Sequence, residues 1–205
     1  METGMTGGFR NTEDRLAGSS SFGNGTVGGA PFTHAQIMHL MKAEFARARR
    51  YGVPLTCMLF QVDRGQTLVD IHGVELREIL RRELGRLVTE KTRDADHLGL
   101  ISDDRFLLVL PHTVAQQAEV VANRIRESFR SLEVVVNGSQ LDLTVSVGLS
   151  SCDDKETLFF DTMLSQADMA LRWSTDAGGN TAKVFRKERF VDSASEAESA
   201  PPASD

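Results

Sequence analysis

The 205-residue chain contains only two cysteines, Cys57 and Cys152, too few for a disulfide framework or, on their own, for a zinc site. It also lacks long apolar runs: none approaches the ~20 residues that cross a bilayer, and the longest stop at about eight. Residues 1–10 do not lead from a basic segment into an apolar core, so no secretory leader is expected. His34, His39, His72, His97 and His112 show no metal-ligand spacing with cysteines or carboxylates and read as surface or strand-end residues. There is no basic excess either. The net charge of −6 argues against a general nucleic-acid binder. These absences together predict a soluble, cytoplasmic protein with no membrane span.

What is present suits a packed core, with 40% hydrophobic and 25% charged residues. Residues 1–31 are rich in Gly, Ser and Thr and poor in large apolar side chains. They bury too little surface to offset ordering entropy and are expected to be a disordered extension. Residues 191–205 carry Asp192, Glu196, Glu198 and Asp205 with no basic residue, and read as an acidic, solvated tail. The stretch between them, 32–190, is the expected domain and is nearly neutral, so anion binding there must come from local arginines.

Hydrophobic periodicity divides that domain. Thr33 caps a helix to about Tyr51, which Gly52-Val53-Pro54 stops. A buried strand over 55–62 follows, then a helix carrying Leu76, Ile79, Leu80, Leu84, Leu87 and Val88. Two short strands, 98–101 and 106–110, flank the polar turn Ser102-Asp103-Asp104-Arg105. A helix over 113–130 comes next. Residues 134–136 and 141–149 read as a strand pair around Asn137-Gly138. A helix over 159–174 and a strand over 182–185 close the domain. The order predicts an α/β (α+β) fold with one mixed sheet flanked by helices. Cys57 is expected in the core, Cys152 in a loop and Trp173 in helix packing. Arg77, Arg81, Arg82 and Arg86 read as a solvated helix face paired in part with Glu75, Glu78 and Glu83, or as a docking surface.

Several segments, in order, resemble the GGDEF domain, the nucleotidyl-cyclase-like fold of diguanylate cyclases. They are the run from Glu44 to Leu55, Leu110-Pro111, Thr144-Val145-Ser146-Val147-Gly148, Ala167-Asp168-Met169-Ala170-Leu171 and Gly178-Gly179-Asn180. The resemblance covers about 32–185. It also implies that the family's signature is degenerate. Gly-Gly-Asp/Glu-Glu-Phe falls on Ser102-Asp103-Asp104-Arg105-Phe106. Side chains replace the glycines that let backbone approach a nucleotide, and Arg105 reverses a charge. Asp104 stands at a metal-ligand position. Gln61, in Gln61-Val62-Asp63, replaces the other metal carboxylate with a poorer hard-cation ligand. Val69 replaces a nucleotide-contacting Asn, and Glu78 falls at or beside the guanine-reading acid. Thr175 and Gly179 stand where the family has its phosphate-holding Lys and Arg. Phosphoryl transfer depends on such positioning and charge stabilisation. The resemblance therefore predicts a pseudoenzyme with no catalytic residues, no metal and no cofactor.

A second site of the family is retained. Its inhibitory Arg-x-x-Asp, five residues before the signature, falls on Arg93 and Asp96, and its further arginine on Arg124. An Arg-x-x-Asp pair is commonly a surface ion pair of little worth. At one prescribed offset, though, such a pair arises by chance about once in several hundred placements, taking each residue as ~6% of a chain. The ligand implied is cyclic di-GMP. An arginine fork suits guanine O6 and N7, a carboxylate suits the N1–H and amino group, and a second arginine suits phosphate or a base face. The expectation is a catalytically inactive effector that binds cyclic di-GMP through Arg93, Asp96 and Arg124 and signals by protein–protein interaction, the ligand bridging a homodimer or a partner. The alternatives are a nucleotide-independent scaffold and a weak, divergent diguanylate cyclase.

Overall fold

The computed structural model describes residues 31–136, 138–152 and 159–187. The expected N-terminal extension (apart from Pro31), the acidic tail and the turn residue Asn137 lie outside the described residues. Twelve elements follow one another: α1 (His34–Tyr51), β1 (Leu55–Val62), α2 (Gly65–His72), α3 (Val74–Lys91), β2 (His97–Ser102), β3 (Arg105–Pro111), α4 (Ala115–Arg130), β4 (Val134–Val136), β5 (Ser139–Leu141), β6 (Val145–Cys152), α5 (Phe160–Asp176) and β7 (Ala182–Val184).

The main sheet runs β2-β3-β1-β6-β7. It is antiparallel except for the β6–β7 pair. Central β1 is buried on both faces, which its unbroken apolar run anticipates. On one face Phe60, Phe106, Val147 and Leu149 meet Leu80 and Leu84 of α3 and Ala122 and Phe129 of α4. On the other, Leu59, Leu107 and Cys57 meet Ile37 and Met41 of α1 and Ala167 and Leu171 of α5. Thr33 and Gln36 form the capping box that starts α1, and Gly52 closes it in the left-handed region at φ 64°.

Three details depart from the sequence reading. The stretch over 141–149 is two strands rather than one. Leu141 pairs with Val134 in a separate two-stranded hairpin, whereas residues 145–152 pair with β1. Asp142 faces solvent, Leu143 is buried and the Thr144 hydroxyl turns to Asp63, which interrupts the ladder between them. Helix α2 has no counterpart in the sequence reading; eight residues with Val69 alone buried give almost no periodic signal. Cys152 closes β6 and is buried rather than lying in a loop.

Helix α5 lies against β6 backbone to backbone. A Cβ on Gly148 would come within 2.2 Å of the Ala167 carbonyl and the Leu171 amide nitrogen. Gly148→Ala is therefore expected to cost about 3 kcal/mol or more, because no flexible side chain can yield. A urea titration checks it; an unchanged midpoint would contradict this packing.

Candidate functional site

Two regions carry the sequence-predicted residues. The first is a cavity of about 660 Å³ between the C-terminal end of α3, the 92–96 turn and α4, and Arg93, Asp96 and Arg124 all line it. Asp96 is buried, and its carboxylate accepts the Arg93 amide N–H at 2.8 Å. The Asp96 amide in turn donates to the Arg93 carbonyl at 2.9 Å. This reciprocal turn leaves the Arg93 guanidinium free of its own backbone's needs. Burial raises the Asp96 carboxyl above its ordinary range, opposed by that hydrogen bond and by the charges of Arg93 and His97. Arg124 donates to the Lys91 carbonyl, tying α4 to the last turn of α3.

The walls add residues that the sequence reading missed: Gln117, Thr113, Val120 and Val121 beside Arg124, and Glu90 and Lys91 beside Arg93. Helical spacing carries the signal, since 117, 120, 121 and 124 share one side of α4, with Thr113 just before it. Val120 is 68% exposed and, with Val121 and Leu110, adds an apolar patch to the charged walls. The cavity holds three cations (Lys91, Arg93, Arg124) against Glu90 and Asp96, and Arg86 already engages Glu90 at 2.5 Å. The arrangement suits an anionic, ring-bearing ligand of modest size.

The second region surrounds the 102–106 segment. The cleft between α2, α3 and the β2–β3 turn contains only about 30 Å³, roughly the room of one water. Asp103 of the turn lines it, meeting Arg77 at 3.7 Å and Arg81 at 3.3 Å. Thus two of the arginines on α3 hold the turn, while Arg82 and Arg86 pair with Glu83. Phe106 is a core residue. The β1–β3 register sets Gln61 opposite Arg105. From there the Gln61 amide donates to one oxygen of Asp104 at 2.9 Å, while the Ser102 hydroxyl donates to the other at 3.0 Å.

Arg105 points to the α1/α5 side and pairs with Asp168 at 2.7 Å. Asp63, just after β1, accepts from the Ser146 and Thr144 hydroxyls and the Asn180 amide at 2.6, 2.7 and 2.8 Å. Gly178, Gly179 and Asn180 all have positive φ, and a Cβ on Gly179 would lie 2.9 Å from the Asp63 carboxylate. A basic side chain at 179 would disturb that clasp. A divalent cation at the family's metal position would meet the Asp104 carboxylate already bonded to the Gln61 amide and the Ser102 hydroxyl, with Asp103 and Asp63 engaged elsewhere. This donor set does not fit a hard cation. Among the described residues no cluster of three His, Cys, Asp or Glu is arranged to hold a metal ion, and no helix is long and apolar enough to cross a membrane.

The remaining candidates have structural roles. Cys57 is buried, its thiol pushed up to about 12 by desolvation, and is expected to resist alkylation until the protein unfolds. A thiol assay of the native protein checks this; rapid labelling of Cys57 would contradict it. Trp173 stacks on Phe185, with ring centroids 5.6 Å apart. His97 lies half-buried with its Nε2 3.9 Å from Glu44, and burial lowers its pKa.

Residues 33–181 match the family model described as diguanylate cyclase, GGDEF domain. Diguanylate cyclase A of Treponema denticola is 28% identical over 133 residues, covering 64% of this chain and 35% of that protein. Diguanylate cyclase DosC of Escherichia coli K12 is 23% identical over 148 residues, covering 72% and 32%. The chain thus spans about a third of the length of these curated relatives. Among solved structures, the active GGEEF domain of a diguanylate cyclase from Vibrio cholerae superposes with a TM-score of 0.71 at 22% identity, covering 76% of this chain and 98% of that one. The GGDEF domain of DgcB from Caulobacter crescentus, solved in complex with c-di-GMP, gives 0.72 at 16% identity, covering 78% and 95%.

Proposed function

Since the chain belongs to the GGDEF family of diguanylate cyclase domains, we propose that it works as a receptor for cyclic di-GMP rather than as a cyclase, passing the signal on through protein–protein contact. The observation that carries this reading is the contrast between its two regions. Arg93, Asp96 and Arg124 converge on an open cavity, whereas the cleft beside the signature turn, lined by Asp103, Arg77 and Arg81, has room for about one water. The DgcB domain of the same fold has been solved with this dinucleotide. The Arg93 guanidinium offers two parallel donors to the O6/N7 edge of guanine. Asp96 accepts from N1–H and the amino group, and Arg124 faces a phosphate.

Titration calorimetry with cyclic di-GMP, with light scattering on the same sample, tests it. Heat and a change in assembly are expected. No heat would leave the fold as a nucleotide-independent scaffold.

Asp96→Asn separates binding from folding. The Asn side-chain oxygen keeps an acceptor for the Arg93 amide. Burial raises the native Asp96 pKa above its unfolded value, so the ionised group costs stability. Whatever stability this aspartate contributes is present below its unfolded pKa and is lost as pH rises through its native pKa. The Asn variant is thus expected to be at least as stable as wild type at neutral pH, the difference vanishing in acid. Its affinity should fall tenfold or more through loss of a charge-assisted acceptor. Parallel urea and calorimetric titrations check both; a variant that unfolds early would overturn this reading of Asp96.

A further inference from the structure

On the opposite face of the sheet from the nucleotide regions, α1 and α5 splay over an open cavity of about 520 Å³. Leu59 and Ile101 form its floor, and Met38 of α1 and Met169 of α5 its walls. Its rim is cationic. Arg105 and Arg172 share the single carboxylate of Asp168, at 2.7 and 3.1 Å, which leaves one positive charge in excess. The Arg172 side chain is 73% exposed, so its guanidinium can accept a further anion at little desolvation cost. An apolar floor under a basic rim calls for an occupant that is apolar at one point and acidic just beyond it.

The end of this same chain has that pattern. Phe190 and Val191 are followed by Asp192, Glu196 and Glu198, and the acidic stretch to 205 contains no basic residue. Three cations, Arg186, Lys187 and Arg189, precede it, so the acidic part starts only at Asp192. The chain also leaves the fold at the right place. Phe185, just after β7, stacks on Trp173 of α5. Residues 165, 169 and 173 lie on successive turns of one row of α5, and the first two line the cavity. From Lys187, the last described residue, the three residues to Phe190 reach up to ~10 Å, more than the ~6 Å helix rise from Trp173 back to Met169. A tether this short gives an effective concentration of about a millimolar, so a few weak contacts suffice.

We propose that residues 190–198 dock in cis on the α1/α5 cavity, with the Phe190-Val191 pair against Met38 and Met169 and the acidic residues against Arg172 and Arg105. The site is independent of the dinucleotide reading. It makes the α1/α5 face a surface that the chain covers itself and that an acidic peptide would have to compete for.

Paramagnetic relaxation in the full-length protein tests this. A nitroxide is attached at Ser195→Cys, both native cysteines being buried, and methionine ε-methyl signals are observed. Docking predicts at least twofold loss of intensity at Met38 and Met169, and less at Met58 on the other face. Arg172→Glu should restore most of the intensity, as should salt near 1 M, where screening acts within ~3 Å. Adding Glu196→Lys and Glu198→Lys to Arg172→Glu should bring the loss back. No selective loss, or a loss indifferent to Arg172→Glu, overturns the proposal. So does a loss that survives when nitroxide and isotope label sit on different molecules, since the occupant is then a second copy.

Discussion

Arg93→Ala should weaken cyclic di-GMP binding by a hundredfold or more, about 3 kcal/mol, while leaving the fold intact. The two halves of that expectation come from different atoms. Asp96 holds the backbone amide of residue 93, so truncating the side chain removes no contact on which the turn depends. The guanidinium, in contrast, lines the cavity and contributes a fork of donors that neither Lys91 nor Arg124 can reproduce from its position. Arg124→Ala should also weaken binding. Because Arg124 donates to the Lys91 carbonyl, that change loosens the α3–α4 contact as well and gives a less clean result. Asp94→Ala is the control: the residue is exposed and does not line the cavity. Calorimetry on the three variants decides it. Wild-type affinity in Arg93→Ala would end the assignment of the cavity to this ligand.

How far this could be read from the chain alone depends on the distance over which each signal acts. Helices α1, α3, α4 and α5 and strand β1 are legible because a buried stripe or an unbroken apolar run is written into consecutive residues. Helix α2 and the break after Leu141 are not. One is held by a single buried side chain, and the other by a hydroxyl of Thr144 that reaches Asp63 across the fold. The same division holds at the sites. Arg93 and Asp96 are neighbours in sequence, and a fixed offset from the signature identifies them. Their meeting with Gln117 and Val120 depends on how α4 crosses the end of α3. The charge reversal at Arg105 is visible in the sequence as a loss. Its partner Asp168 lies 63 residues away, and only the sheet order brings the two together. Asp103 likewise reads as a charge misplaced beside a nucleotide, whereas in the fold it is the counter-ion of Arg77 and Arg81.

That counter-ion role leads to the second large effect. Incubated with GTP and Mg²⁺, the protein is expected to yield no cyclic di-GMP above a protein-free control, and chromatography of the mixture measures it. Three features act in the same direction. The cleft holds about one water and is lined by Asp103 paired with two arginines, so a base finds no ready-made space there. The Asp104 carboxylate is hydrogen-bonded to Gln61 and Ser102, and among the described residues no cluster of three metal-ligating side chains includes it. Thr175 and Gly179 supply no charge for a developing phosphate anion. These features are separable. Asp103→Gly should free Arg77 and Arg81 and open the cleft, so that GTP protects the variant against heat where it does not protect wild type. Turnover should still be absent, because opening the cleft adds neither a carboxylate at Gln61 nor a cation at Thr175 or Gly179. Adding Gln61→Asp should bring metal dependence to that protection before it brings any product. Sustained synthesis of cyclic di-GMP by the unaltered chain would make it a divergent cyclase, with the Arg93 cavity then a regulatory site rather than its principal one.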